Sequence, residues 1–239
     1  MLCMFVYAQE ATDTMYIYCS GNVVERIPVS IIDSVSFVSP VAPEAPTGKI
    51  VDLGLPSGLK WASCNVGAKV PEEYGNYYAW GEIEVKENYV WATYKYCNGK
   101  IIPVTKYCTN SSDGYVDNKV VLEPEDDVAT VELGNKWRMP TEAEISELFE
   151  NCTWEWITVN DVAGCKLTGP NGNSIFMPAA GCCNGTEIKQ LGERCYYWSS
   201  SLYAYFNDSA YAVMIYNSGS VYLNTATRIY GYPVRPVCE

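Results

Sequence analysis

The sequence predicts a strand-rich chain with few helices: a small β unit, a proline-rich spacer, and a larger unit of antiparallel sheet interrupted by loops. Three observations carry that expectation. Short alternating or apolar segments recur along the chain, separated by Gly, Pro, Asn and Ser. One stretch, residues 141–152, has clear helical periodicity. Tyr211 to Tyr216 and Ser220 to Asn224 flank Asn217, Ser218 and Gly219, the pattern of a β-hairpin. At 239 residues, with 48% hydrophobic and 18% charged residues, the chain can bury one full-sized core and a small accessory unit.

Met1 to Gln9 is apolar and ends in Val6-Tyr7-Ala8, resembling the small-residue end of a secretory signal. It is shorter than the roughly 15–30 residues of a whole signal, so it reads as a signal remnant or, alternatively, as a buried N-terminal strand. Residues 10–38 form the small β unit: two alternating segments flank Ser20-Gly21-Asn22, and a further short strand follows Asp33. Three prolines between Ser39 and Pro46 make residues 39–48 an extended linker. The main domain spans residues 49–239.

Within it, Gly54-Leu-Pro-Ser-Gly58 reads as a turn, because the G-K-[ST] ending of a phosphate loop is missing. Tyr74, Tyr77, Tyr78, Trp80, Trp91 and Tyr94 read as packing aromatics, and Asn98 to Asn118 as an irregular surface excursion. In Glu123-Pro-Glu-Asp-Asp127, four carboxylates suit oxygen ligation of calcium; Pro124 as a first helical residue, with acids near the helix N-terminus, is the preferred reading. Thr141 and Glu144 form a capping box, and Ile145, Leu148, Phe149 and Cys152 share one helical face. Glu142, Glu144 and Glu147 then form a solvated face. Strands are expected at Trp154 to Ile157, Cys165 to Thr168 and Ser174 to Pro178.

Composition excludes several functions. The chain has no histidine, which removes His-activated nucleophiles, His-ligated zinc and His acid-base chemistry. None of its 11 cysteines has the C-x-x-C spacing of a zinc ribbon or redox motif, so no metal site and no cofactor are expected. A net charge of −12 argues against nucleic acid, whose phosphates are held by Lys and Arg. No run approaches the ~20 apolar residues of a membrane span.

Tyr196 to Cys238 is the most informative stretch. Nine of the 20 tyrosines fall between Tyr196 and Tyr232, interleaved with Ser and Asn. Tyrosine supplies a stiff amphipathic ring with little torsional entropy to lose, while Ser and Asn supply adaptable polar groups, as in antibody-like recognition surfaces. Tyrosine also favours strands, so packing within a sheet is the competing reading.

VDLGLPSGLKWASCNVGA, YGNYYAWGE, LEPEDDVAT, WRMPTEAE, NSIFMPAAG, YYWSSS and YPVRPVC, in this order across Val51 to Cys238, resemble the Fibrobacter succinogenes major paralogous domain, a family abundant in gut Bacteroidetes. That family resembles the C-type-lectin-like fold of formylglycine-generating enzymes. The resemblance implies an α+β domain with twisted antiparallel sheets, few helices and long loops. It further suggests a target protein of a diversity-generating retroelement, in which fixed scaffold residues alternate with variable ones. Trp198, Ser199, Ser200, Ser201, Gly219, Arg228, Gly231, Val234 and Arg235 match the scaffold. Tyr203, Tyr205, Phe206, Asn207, Tyr211, Tyr222, Asn224, Thr225, Thr227, Ile229 and Tyr230 fall between fixed positions and are the expected ligand-binding residues.

The late cysteine pair by which formylglycine-generating enzymes bind copper has no match before the VRPV element, and adjacent Cys182 and Cys183 would point to opposite faces of a strand. The sugar- and calcium-binding tripeptides of C-type lectins are absent too. The expectation is a non-catalytic, secreted or cell-surface protein that binds a protein or a cell-surface glycan, with a structural or adhesin module as the alternative and a formylglycine-generating-type oxidase ranked below both.

Overall fold

The computed structural model of the protein describes residues 14–19, 22–28 and 49–239. The chain divides into two units, residues 1–41 and 42–239. In the first, β1 (Thr14–Cys19) pairs antiparallel with β2 (Asn22–Pro28), with a register irregularity at Ile17/Tyr18. The expected signal remnant, the strand after Asp33 and the proline-rich linker lie outside the described residues.

The second unit is built from small antiparallel sheets. β3 (Ile50–Asp52) and β4 (Lys60–Ala62) form one with β13 (Val237–Cys238), in the order β13-β4-β3, so the two ends of the unit meet. β5 (Thr153–Val159), β6 (Val162–Thr168) and β7 (Ser174–Pro178) form a second, and β8 (Cys182–Asn184) and β9 (Glu187–Lys189) a third. β10 (Arg194–Leu202), β11 (Ser209–Tyr216) and β12 (Val221–Thr227) form the sheet that carries the Tyr-rich stretch. The unit is therefore sheet-rich, α+β in character, with few helices.

α2 (Glu142–Asn151) starts where its sequence dictates. The Thr141 hydroxyl accepts from the Glu144 N–H and the Glu144 carboxylate accepts from the Thr141 N–H, which satisfies two donors that a helix start leaves open. Ile145 and Leu148 are buried on its inner face. In the Glu123–Asp127 segment Pro124 is the first helical residue, as expected, but the helix comes in two pieces. Pro124–Asp126 is one turn of 3₁₀-helix, and α1 (Val128–Leu133) begins only after Asp127, whose carboxylate accepts from the N–H groups of Ala129 and Thr130. Asp127 is the better cap because its oxygen reaches both open donors, a role that Glu123 does not fill.

The β10–β12 sheet lies between two cores. Register sets Tyr196 against Met214 and Trp198 against Ala212, and these side chains join Ala210, Ala226, Trp80, Tyr94, Tyr107 and Tyr232 on one face. Cys195, Tyr197, Val213 and Ile215 point the other way, toward Ile145, Leu148, Leu167 and Trp61. A period of two along each strand thus fills both faces, and β10 is buried along almost its whole length.

Two arginines fix the segment after β12. The Arg228 guanidinium, fully buried, donates to the carbonyls of Lys106, Tyr107 and Asn207 and to the Tyr94 hydroxyl, and lies 4.9 Å from the Trp80 ring. Arg235 donates to the carbonyls of Ala62, Ser63 and Phe176 and to Asn65 Oδ1. Each buried fork is satisfied by carbonyl and side-chain oxygens, the condition for burying a cation at tolerable cost. The expected packing aromatics Tyr78, Trp80 and Tyr94 are buried, and Tyr77 and Trp91 pack against the same core.

Candidate functional site

The loop joining β10 to β11 carries a cluster of aromatic rings. Tyr203 is its hub: its ring centroid lies 5.5 Å from Tyr205, 5.9 Å from Phe206 and, edge to face, 5.4 Å from Tyr211. Tyr205 is 80% exposed and Phe206 65%. Single exposed apolar side chains are ordinary on a protein surface; here the exposed rings belong to one contiguous cluster, the arrangement that marks a contact surface.

The backbone beneath these rings is held firmly. Phe206 N–H donates to the Tyr203 carbonyl and Ser209 N–H to the Phe206 carbonyl, closing two consecutive turns. The Asn207 side chain is buried and points inward. Its Oδ1 accepts from the N–H and hydroxyl of Thr109 (3.0 Å each), and its Nδ2 donates to Asp113 at 2.8 Å. Arg228 binds the loop from below, donating to the Asn207 carbonyl at 2.8 Å, while its own N–H reaches the Asp208 carbonyl. Residues 98–118, an excursion without an assigned role in the sequence, supply the platform. There the Asp117 carboxylate accepts from the N–H groups of Tyr107, Cys108 and Lys119.

The hairpin of β11 and β12 splits the remaining expected residues between its faces. Thr225 opposes Tyr211 and Thr227 opposes Ser209, which places both threonines, half-buried, on the Tyr211 face. Tyr222 and Asn224 oppose Met214 and Ala212 on the other face. There, Tyr222, 53% exposed, and Asn224 line a shallow depression of about 330 Å³ with Tyr216, Ser218 and Ser220. The Tyr216 and Tyr222 rings meet edge to face at 5.7 Å, and the Arg194 guanidinium lies 4.5 Å from the Tyr216 ring. The expected residues therefore do not form one open face, because neighbours along a strand alternate sides.

Asn207 and Ile229 depart further from their expected place on a binding surface. Asn207 is consumed by the ties to Thr109 and Asp113, and Ile229 packs in the core with Trp198 and Tyr232. Tyr230 is half-buried and stacks on Tyr232 at 6.3 Å. Sequence reasoning missed Tyr216, Ser218 and Ser220 in the depression, and Ile101, Ile102 and Asp113 beside Phe206. The available signal was the Ile101-Ile102 pair in an otherwise polar run.

The acidic segment and the cysteines offer little chemistry. Oxygens of Glu123, Glu125 and Asp126 lie within 4.8 Å of one another, but the Lys106 amino group stands among them, 2.5 Å from Glu123, 3.7 Å from Glu125 and 2.5 Å from Asp126. A lysine thus takes the place that a cation would fill. The nine described cysteines from Cys64 to Cys238 are free thiols. Burial pushes Cys165 up to about 12 and Cys183 up to about 11, away from the thiolate form that attacks or ligates.

Comparison of the chain with family models, curated proteins and solved structures finds no match. Among the described residues, no helix is long and apolar enough to cross a membrane.

Proposed function

We propose that this is a non-catalytic binding protein of C-type-lectin-like fold, secreted or displayed at the cell surface, which holds a macromolecular partner with the aromatic cluster of Tyr203, Tyr205, Phe206 and Tyr211. One observation carries the reading: two of the four rings stand in solvent on a loop whose backbone is tied down by Asn207 and Arg228. A rigid loop loses little entropy when its rings enter a partner's pocket, and exposed aromatic anchors are the usual source of binding energy at protein interfaces. Rings this prominent suit a protein partner. The likeness to variable proteins accords with the same reading: of the residues matching the scaffold, Trp198, Ser199, Ser200, Arg228, Gly231, Val234 and Arg235 are buried, Ser201 is half-buried and Gly219 is exposed at the hairpin turn. The absence of histidine and the raised cysteines favour binding over catalysis.

A glycan is a second reading, favoured by the depression on the opposite face. Two tyrosine rings flanked by Ser218, Ser220 and Asn224 combine a stacking surface with hydroxyl and amide groups.

The test is a pair of printed arrays, one of bacterial and host surface proteins and one of glycans, probed with the wild type, Y205A/F206A and Y222A/N224A. The first reading expects protein features whose signal falls at least tenfold in Y205A/F206A and persists in Y222A/N224A. Signals on neither array, or signals indifferent to both variants, would overturn it in favour of a structural module.

A further inference from the structure

Beside the aromatic cluster lies a smaller cavity of about 150 Å³, lined by Ile101, Ile102, Val104, Asp113, Phe206, Asn207 and Asp208. Its composition is unusual for a surface hollow. Ile101, Ile102 and Phe206 are all exposed, giving it apolar sides. Its lining also includes two acidic residues, Asp113 and Asp208, and among the described residues neither has a lysine or arginine within ion-pair distance. Asp113 is partly occupied, accepting from Asn207 Nδ2 at 2.8 Å and from the Ser112 hydroxyl at 3.1 Å. The Asp208 carboxylate accepts only from the Ser209 hydroxyl, through Oδ1, so its Oδ2 remains available among the described residues. The Arg228 guanidinium makes no hydrogen bond to either carboxylate, since its N–H groups go to carbonyls and to the Tyr94 hydroxyl.

We infer that this cavity is the specificity pocket of the surface, and that it receives an arginine or lysine side chain of the protein partner. The inference rests on the proposed reading of the aromatic cluster and names the chemistry of what that cluster binds. A basic side chain matches the cavity along its length. Its methylenes pack on Ile101 and Ile102, its cationic head reaches Asp208 and Asp113, and the Phe206 ring offers its face to the cation. The partner is then basic at the point of contact, complementary to a chain of net charge −12. An acidic or purely apolar side chain would leave two carboxylates desolvated and unpaired.

The experiment selects a phage-displayed random dodecapeptide library on the wild type, D208N and Y205A/F206A. The wild-type pool is expected to be enriched in Arg or Lys next to an aromatic or aliphatic residue. Synthetic peptides from that pool should lose at least fivefold in affinity for D208N, and at least as much when salt is raised from 0.05 to 0.5 M, roughly where charge screening closes to within a few ångströms. Pools that bind through Tyr205 and Phe206 but show no basic preference, or peptides indifferent to D208N, overturn the pocket and leave the aromatic surface standing. Pools that do not differ between wild type and Y205A/F206A overturn the aromatic surface itself. Circular dichroism melting of D208N and Y205A/F206A, expected to match the wild type, separates lost contacts from lost fold.

Discussion

The stack of Tyr196, Trp198 and Tyr232 and the cluster of Tyr203, Tyr205, Phe206 and Tyr211 come from one continuous stretch of similar composition, yet they have opposite surroundings. In the first, Trp198 and Tyr232 lie 4.4 Å apart and nearly parallel, and the Trp198 indole donates to the Tyr78 carbonyl at 2.8 Å. In the second, Tyr205 and Phe206 make ring contacts with Tyr203, Phe206 also lines the small cavity beside Ile101 and Ile102, and both rings remain mostly exposed. The difference lies in what covers them. The segment from Arg228 to Cys238 returns beside β10, where the Trp198 N–H donates to the Pro233 carbonyl and Tyr232 stacks on Trp198, whereas nothing comparable covers Tyr205 and Phe206 of the β10–β11 loop, which stay exposed. An aromatic ring is therefore scaffold or surface according to the chain that returns above it, not according to its neighbours in sequence.

Removing the anchor should break that arrangement most severely. Arg228→Met would strand the carbonyls of Lys106, Tyr107 and Asn207 without their donor, and a loss of about 4–6 kcal/mol is expected at about 1–3 kcal/mol for each buried unsatisfied group, with some relief by water. Urea denaturation measures it; a loss under about 1 kcal/mol would mean that the returning segment is held by something else. Trp198→Ala attacks the buried stack directly and should cost about 3–5 kcal/mol in the same assay.

Asn207→Ala tests the link between the two regions. It removes the ties to Thr109 and Asp113, so a stability loss of about 1–3 kcal/mol should accompany weaker peptide binding with Tyr205 and Phe206 intact. Unchanged binding would show that the rings work without a rigid loop.

Acid should loosen the platform beneath the loop. Burial works against the Asp126 charge, but hydrogen bonds from Lys106, Tyr107 and Lys95 hold its carboxyl well below the usual carboxylate range. Glu144 is also buried in part and still lowered, by Arg138 and the capping box. Both carry depressed folded-state values, so their contribution is present above the unfolded value near 4 and is lost as pH falls through the folded values. Asp127, raised by burial, works in the opposite direction. Thermal midpoints are expected to be flat above about pH 5 and to fall below about pH 4, with a shallower acid limb in D126N.

The smallest effect on stability belongs to the exposed rings: Y205A/F206A should stay within about 0.5 kcal/mol of wild type. A large destabilisation there would erase the contrast between the two clusters and, with it, the case for a binding surface.

Much of the scaffold was legible. The capping box at Thr141, the Gly219 hairpin and the strands around Trp154, Cys165 and Ser174 follow from local rules of helix capping, turn conformation and alternation, and each stands where those rules put it. The helix start at Pro124 was legible too, but not its form: Pro124 opens a single 3₁₀ turn, and the α-helix proper begins four residues later, capped by Asp127. The candidate site was legible only as a concentration of tyrosine. Ile101, Ile102, Asp113 and Phe206 are separated by up to about a hundred positions, and no periodicity links a loop to the loop it packs against.

By itself, then, the sequence determined the strand-rich class, the helix at Thr141, the hairpin and the exclusion of histidine chemistry, since each depends on residues within a few positions or on composition. The tertiary structure decided which tyrosines are buried, that Asn207 is a tie rather than a contact, that β12 divides its residues between two faces, and that two carboxylates meet three apolar side chains beside Phe206. Those outcomes depend on long-range packing, where burial and charge pairing are set by chain segments distant in sequence.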